Sequence, residues 1–170
     1  MDTVTQLFPH INPDVTLIIP QLIVLGTALL LLLGDLMLDR SRHRVLTMLT
    51  LVGLGAALVA NFFYIDVNKT TFNGMFRADD VSVFVNMIAL IGAILSVMIS
   101  ASYLEKNVEP GGMPLPEYYV LLVFSTLGAM VVGAAGDLLM VFIGIEMGSL
   151  AIYALTGFAR KRLTSLEGAL

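Results

Sequence analysis

The chain has 170 residues, 58% hydrophobic and 13% charged, with no cysteine and a formal net charge of −4; its mean hydropathy is +0.92 and its pI about 4.9. A soluble domain carries roughly a quarter charged residues, and one compact core could not bury this much apolar surface, so an ordinary soluble domain is excluded and lipid is the implied solvent. Without cysteine the chain has no disulfide, thiolate metal site or iron–sulfur ligation, and an acidic chain without a basic stripe is not expected to bind nucleic acid.

The first apolar run, Leu17 to Leu38, follows a polar segment that holds Asp2, His10 and Asp14. No Lys or Arg precedes it, it is too long for a signal h-region, and no small-residue cleavage pattern closes it, so it is expected to stay in the mature protein as a transmembrane helix. Asp35, near its far end, is explained by interfacial solvation or by pairing with Arg40 or Arg42. The basic loop with Arg40, Arg42, His43 and Arg44 leads to a second span, Val45 to Ile65. His10 and His43 read as solvated, and no metal site is expected. A loop from Asp66 to Asp80 follows, in which Asp79 reads as an N-cap and Asp80 as a first-turn acid of the third span, Val81 to Tyr103. The Pro/Gly linker Glu109-Pro110-Gly111-Gly112-Met113-Pro114-Leu115-Pro116 breaks any helix before the fourth span, Tyr118 to Ala135. Gly133-Ala134-Ala135-Gly136-Asp137 then supplies a tight reversal, with Asp137 capping the fifth span, Leu138 to Phe158.

Each run is close to the 17–25 or so residues that cross a bilayer, and in lipid every backbone polar group needs an internal partner, so the expected fold is an all-α integral membrane bundle of five helices, one transmembrane unit over residues 1–170. Seven basic residues, Arg40, Arg42, Arg44, Lys106, Arg160, Lys161 and Arg162, flank one side and two, Lys69 and Arg77, the other. The basic side is expected to be cytoplasmic and the N-terminus outside.

Most intramembrane polar residues have simple roles. Asn61 and Asn86 are suited to hydrogen bonds across helices, and Ser125 and Thr126 to their own backbone carbonyls. Glu146 is different. It is the ninth residue from Leu138, about 12 Å inside the helix at 1.5 Å per residue, and an acid at mid-membrane costs roughly 2.5 kcal/mol or more. It is therefore expected to face the bundle interior, a partner cation or a water-filled path, as a proton-transfer or charge-pairing site; a structural hydrogen-bonding acid is the alternative. No Lys or Arg lies within the five spans to neutralise it, which points to a partner outside this chain. Gly144, Gly148 and Ser149 beside it are small enough to admit another helix.

The stretch Asp137 to Phe158, centred on Gly144-Ile145-Glu146, resembles the fifth transmembrane helix of the antiporter-like subunits of respiratory complex I. It is most similar to the subunit N branch, because the sister subunits L and M usually place a Trp before the Glu. Phe76-Arg77-Ala78-Asp79-Asp80, Glu117-Tyr118-Tyr119 and Ser165-Leu166-Glu167-Gly168-Ala169-Leu170 extend the resemblance along the chain. It covers the first third of such a subunit, and the lysine-bearing helices would lie beyond Leu170. Met147-Gly148 stands where two bulky aliphatic residues are common, and Ala151 where many members have a proline, which implies a straighter fifth helix here.

The resemblance implies the N-terminal part of a membrane-arm subunit of proton-pumping NADH:quinone oxidoreductase in a prokaryotic inner (plasma) membrane. Glu146 would be the helix-five glutamate that pairs with a lysine on helix seven. Other complex I membrane subunits, the bilayer and the remaining helices of the same subunit would be its partners. No cofactor is expected on this chain; NAD, FMN, quinone and iron–sulfur clusters would belong to the wider complex. Two alternatives stay open: a subunit of a related cation/proton antiporter or membrane hydrogenase, and a non-transporting membrane scaffold or truncated remnant.

Overall fold

In a computed structural model, residues 14–37, 43–107 and 115–156 are described. The N-terminal segment with His10, Arg40 and Arg42, the linker residues 109–114, the basic run Arg160 to Arg162 and the stretch Ser165 to Leu170 lie outside them.

Five helices are long and apolar enough to cross a membrane among these residues. Helix α1, Ile19–Met37, continues from a 3₁₀ turn, Val15–Ile18. Helix α2 is His43–Phe62, α3 Asp80–Asn107, α4 Leu115–Gly133 and α5 Leu138–Thr156. Helices α2, α3 and α4 thus begin one to three residues earlier than the apolar runs suggest, α1 begins two later, after its 3₁₀ turn, α5 begins where expected, and α3 runs four residues further, to Asn107.

The starts have visible causes. Asp14 caps the first turn, its Oδ1 accepting from Thr16 N at 3.2 Å and Thr16 Oγ1 at 2.5 Å. Asp79 and Ser82 form a reciprocal cap: Ser82 N donates to Asp79 Oδ1 at 2.9 Å, and Asp79 N to Ser82 Oγ at 3.0 Å. Asp137 caps α5 as expected, accepting from Met140 N at 2.8 Å. Each carboxylate satisfies a donor that the first turn leaves over.

Helices α1 to α4 form the bundle proper. Their core holds Val24, Leu31, Leu54, Leu90, Val97, Tyr119, Val123 and Met130, all fully buried. Thr27, Thr50 and Thr126 turn their hydroxyls onto carbonyls one turn back, each at 2.8 Å, which lets them sit among apolar neighbours. Helix α5 stands apart. It packs almost entirely on α4, and 17% of its spanning stretch is buried against 44% for α4.

The segment from Asp66 to Asp80 is more ordered than a plain loop. Strands β1, Lys69–Thr71, and β2, Phe76–Ala78, form an antiparallel hairpin pairing Lys69 with Ala78, Thr70 with Arg77 and Thr71 with Phe76. The turn uses left-handed backbone at Phe72, Asn73 and Gly74. The hairpin straps the α4–α5 reversal: Arg77 N donates to Ala134 O at 2.8 Å and Gly136 N to Met75 O at 2.7 Å. On its other flank Asp14 N donates to Thr71 Oγ1 at 2.9 Å. Leu17, Phe76, Ala78 and Ala134 close a small apolar cluster beneath it. A Cβ on Gly136 would run into the Gly74 carbonyl oxygen, so this close approach needs glycine.

Candidate functional site

Apart from Glu146 and Ser149, helix α5 is apolar or small on every face through its middle, so its orientation is decided by where a neighbour can approach closely. That neighbour is α4. A Cβ built on Gly128 would lie 2.6 Å from Gly148 N and 2.8 Å from Gly144 O, and one built on Gly144 would lie 2.7 Å from Val132 Cγ2. Gly144 and Gly148 therefore meet α4 backbone to backbone, the close approach that small residues permit. Gly128, the third member of this contact, was not singled out by sequence reasoning, because a lone glycine in an apolar run carries no spacing signal.

Glu146 lies two residues from each of these glycines, about 200° round a helix of 3.6 residues per turn. It is one residue from Met147, the midpoint of Leu138–Thr156, and it is exposed. The expectation that it faces the bundle interior does not hold for the five-helix unit: the glycines take the inward face and leave the carboxylate opposite. No side chain among the described residues hydrogen-bonds to or pairs with this carboxylate; only its backbone oxygen is used, by Ser149 Oγ at 3.2 Å.

Residues at helical spacing above and below share its face. Leu139, Phe142, Leu150 and Tyr153 are 55%, 60%, 64% and 62% exposed, so the acid sits in the middle of a large apolar stripe. Residues seven, four, four and seven positions away line up this way on an α-helix. The helix passes through Ala151, itself buried, without a break.

The other polar candidates gather elsewhere. Asn86 Nδ2 donates to Asn61 Oδ1 at 3.1 Å, and Asn61 Nδ2 donates to Val83 O at 2.9 Å, joining α2 to α3 as their sequence positions suggested. Asp35 is exposed near the end of α1. Gln21, 7% exposed on α1 beside the two asparagines, is a buried polar residue that sequence reasoning passed over. No group of three or more His, Asp or Glu residues suited to a metal occurs among the described residues.

Comparison with known proteins places this geometry in context. NADH-quinone oxidoreductase subunit N 2 of Roseiflexus castenholzii is 37% identical over 145 residues, covering 85% of this chain and 28% of that protein. NAD(P)H-quinone oxidoreductase subunit 2 of Nostoc sp. is 36% identical over 154 residues, 90% of this chain and 29% of that protein. NADH-quinone oxidoreductase subunit N of Chloroflexus aggregans is 37% identical over 159 residues, 92% of this chain and 32% of that protein. The chain belongs to the subunit N family.

It spans 28–32% of the length of these curated subunit N relatives and matches their N-terminal part. A chain of respiratory complex I from Thermus thermophilus with bound aureothin shares the fold, with a TM-score of 0.70 and 25% identity over 89% of this chain and 31% of that one. No protein-family profile matches the chain.

Proposed function

We propose that this chain is the N-terminal part of a membrane-arm subunit of a proton-translocating NADH:quinone oxidoreductase, and that Glu146 is a proton-transfer site in it. One observation carries the assignment of the residue: a carboxylate at the midpoint of a spanning helix stands on the face turned away from the helices of this chain, inside an apolar stripe. Left to lipid it would cost roughly 2.5 kcal/mol or more. The physical remedy is further protein on that face, carrying a cation or enclosing water, and the family relationship supports later helices of the same subunit, with a lysine, as that cover.

In this reading the mechanism is electrostatic. Burial disfavours the charged form of a carboxyl and a close cation favours it, so moving a lysine toward or away from Glu146 changes which of the two holds a proton. A charge or conformational change in a neighbouring subunit would drive that movement. The chain itself has no cysteine for iron–sulfur ligation, so its residues do not fit such a cluster; NAD, FMN, quinone and the clusters are assigned to other subunits. The names of the relatives favour a quinone oxidoreductase over a separate antiporter or hydrogenase. The membrane is assigned as the prokaryotic inner (plasma) membrane, with the N-terminus outside.

The test is Glu146→Gln in the intact complex, which keeps the shape and removes the titratable charge. With assembly intact, proton pumping in sealed vesicles is expected to fall at least about tenfold, below the hundredfold or more that a positioned proton-transfer group typically supplies. Unchanged pumping and NADH:quinone turnover would make Glu146 a structural acid and favour the scaffold reading.

A further inference from the structure

The polar residues at the hairpin end of the bundle leave a specific hydrogen-bonding requirement unmet. A cavity of about 10 Å³ lies between Gln21 on α1, Asn61 at the end of α2, and Ser82 and Asn86 at the start of α3, with Phe76 and Ala78 of β2 lining its hairpin side. Gln21 and Asn86 are 7% and 3% exposed, and both present a buried carbonyl oxygen, Oε1 and Oδ1, that accepts no hydrogen bond.

The direction of the local hydrogen-bond chain explains why Asn86 is left with an acceptor. Val83 O can only accept, so Asn61 donates to it through Nδ2 and must offer Oδ1 to Asn86. Asn86 answers with Nδ2, which leaves its own Oδ1 toward the cavity. The nearby hydroxyls are committed elsewhere: Ser82 Oγ donates to Asp79 O at 2.7 Å, and Tyr64 OH donates to Thr16 O. Two carbonyl oxygens cannot satisfy each other. A guest with two donors, seated in the cavity that both residues line, would satisfy both.

We infer that this cavity is a binding site for one water molecule, which donates to Gln21 Oε1 and Asn86 Oδ1 and thereby ties α1 to α3. The volume is close to the minimum that holds one water. The cavity lining contains no carboxylate, so a cation there would be a buried charge without a counter-charge, which is far costlier than a neutral donor. Unpaired buried carbonyls are rare in folded proteins, and ordered water is their usual partner. The site lies among α1 to α3, away from α5, and does not depend on the role of Glu146.

The experiment is a high-resolution cryo-electron-microscopy map of the intact complex containing this chain, together with one of its Gln21→Met variant. The wild-type map is expected to show a single peak about 2.7–2.8 Å from both Gln21 Oε1 and Asn86 Oδ1, and the variant map to lose it. Three results in the wild-type map would overturn the inference. One is no peak where equally buried waters elsewhere in the map are visible. Another is a peak with the short contacts of about 2.3–2.6 Å to many oxygens that mark a bound hard cation. The third is a reversed Gln21 amide bonding Asn86 directly. A peak that persists unchanged in Gln21→Met would likewise remove Gln21 from the site.

Discussion

At the residue scale, the sequence announces chemistry wherever a polar side chain interrupts an apolar run, because such residues are too costly in lipid to be incidental. The Asn61–Asn86 link was legible for that reason, and Asp79 and Asp137 because they stand just before an apolar run as caps; Glu146 drew attention on the same ground of cost. The direction in which Glu146 points was not legible, since a helix otherwise apolar on all sides offers no stripe from which to read its inner face. Gln21 was missed for a different reason: at the start of an apolar run a glutamine looks interfacial until three helices and a hairpin are seen to enclose it. The corner around Thr16 supports a pH prediction. A hydrogen bond from the Thr16 hydroxyl holds the Asp14 carboxyl below its usual value, and burial, with the Asp14 charge second, holds the Tyr64 hydroxyl above its own. A lowered carboxyl stabilises the fold above its unfolded value and loses that contribution as the pH falls through the folded one. A raised phenol contributes below its unfolded value and loses that as the pH rises through the folded one. Protection of the Thr16 amide against hydrogen exchange, corrected for intrinsic rates, is therefore expected to be flat through neutral pH. It should fall below the ordinary Asp value of about 3.9 and, for the Tyr64 bond, only above the ordinary Tyr value of about 10. A loss centred near neutrality would show that other groups hold this corner.

At the scale of elements, the decisive contact is between bare backbones of α4 and α5. Gly128→Ala would place a methyl against Gly148 N and Gly144 O, atoms that move only with their helix, and is expected to destabilise the docking of α5 by about 1–3 kcal/mol, the usual cost of overpacking. Gly26→Ala is the matched control: a Cβ there meets nothing within 4 Å, and alanine is better than glycine in a helix by roughly 0.5–1 kcal/mol. Thermal unfolding of the purified complex is expected to shift down for the first and to stay level or rise for the second; equal shifts would contradict the proposed contact. Helix positions were readable from hydropathy and caps alone. The hairpin was not, although Asn73-Gly74 between Thr- and Phe-containing segments is a recognisable turn signal, because strands of three residues are too short to show a period. Its stability comes instead from the reversal it straps.

At the scale of the whole molecule, the fold places all the described hairpin and both caps Asp79 and Asp137 at one end of the bundle, opposite the end bearing Arg44. In the sequence seven Lys and Arg residues flank the side of Arg44 and two, Lys69 and Arg77, the other, a bias that predicts the hairpin end to be outside the cell. Thr70 is exposed on β1, so a Thr70→Cys variant is expected to react with a membrane-impermeant thiol reagent added to intact cells after outer-membrane permeabilisation. Labelling only in inverted vesicles would reverse the assigned topology. The overall architecture of five spanning helices was fully legible, since bilayer thickness dictates helix length. The separation into a four-helix bundle with α5 outside it was not, because packing order among equally apolar helices is set by a few small residues whose partners lie far away in sequence.

The strap across the reversal also has a history within each molecule's synthesis. Residues 69–78 can pair within about 1–10 μs of leaving the ribosome and reaching water, yet the Ala134 carbonyl that receives the Arg77 amide lies 57 positions further along the chain, the difference between 134 and 77. At roughly 5–20 residues per second, several seconds pass before that carbonyl has been made, and two more helices must cross the membrane before it arrives. Until then the outer edge of β2 and of Met75 just before it, with Arg77 N and Met75 O unclaimed, is an open strand edge of the kind to which other chains add. The nascent chain is thus most vulnerable to mispairing during the passage of α3 and α4, and any lengthening of the segment between them prolongs that interval.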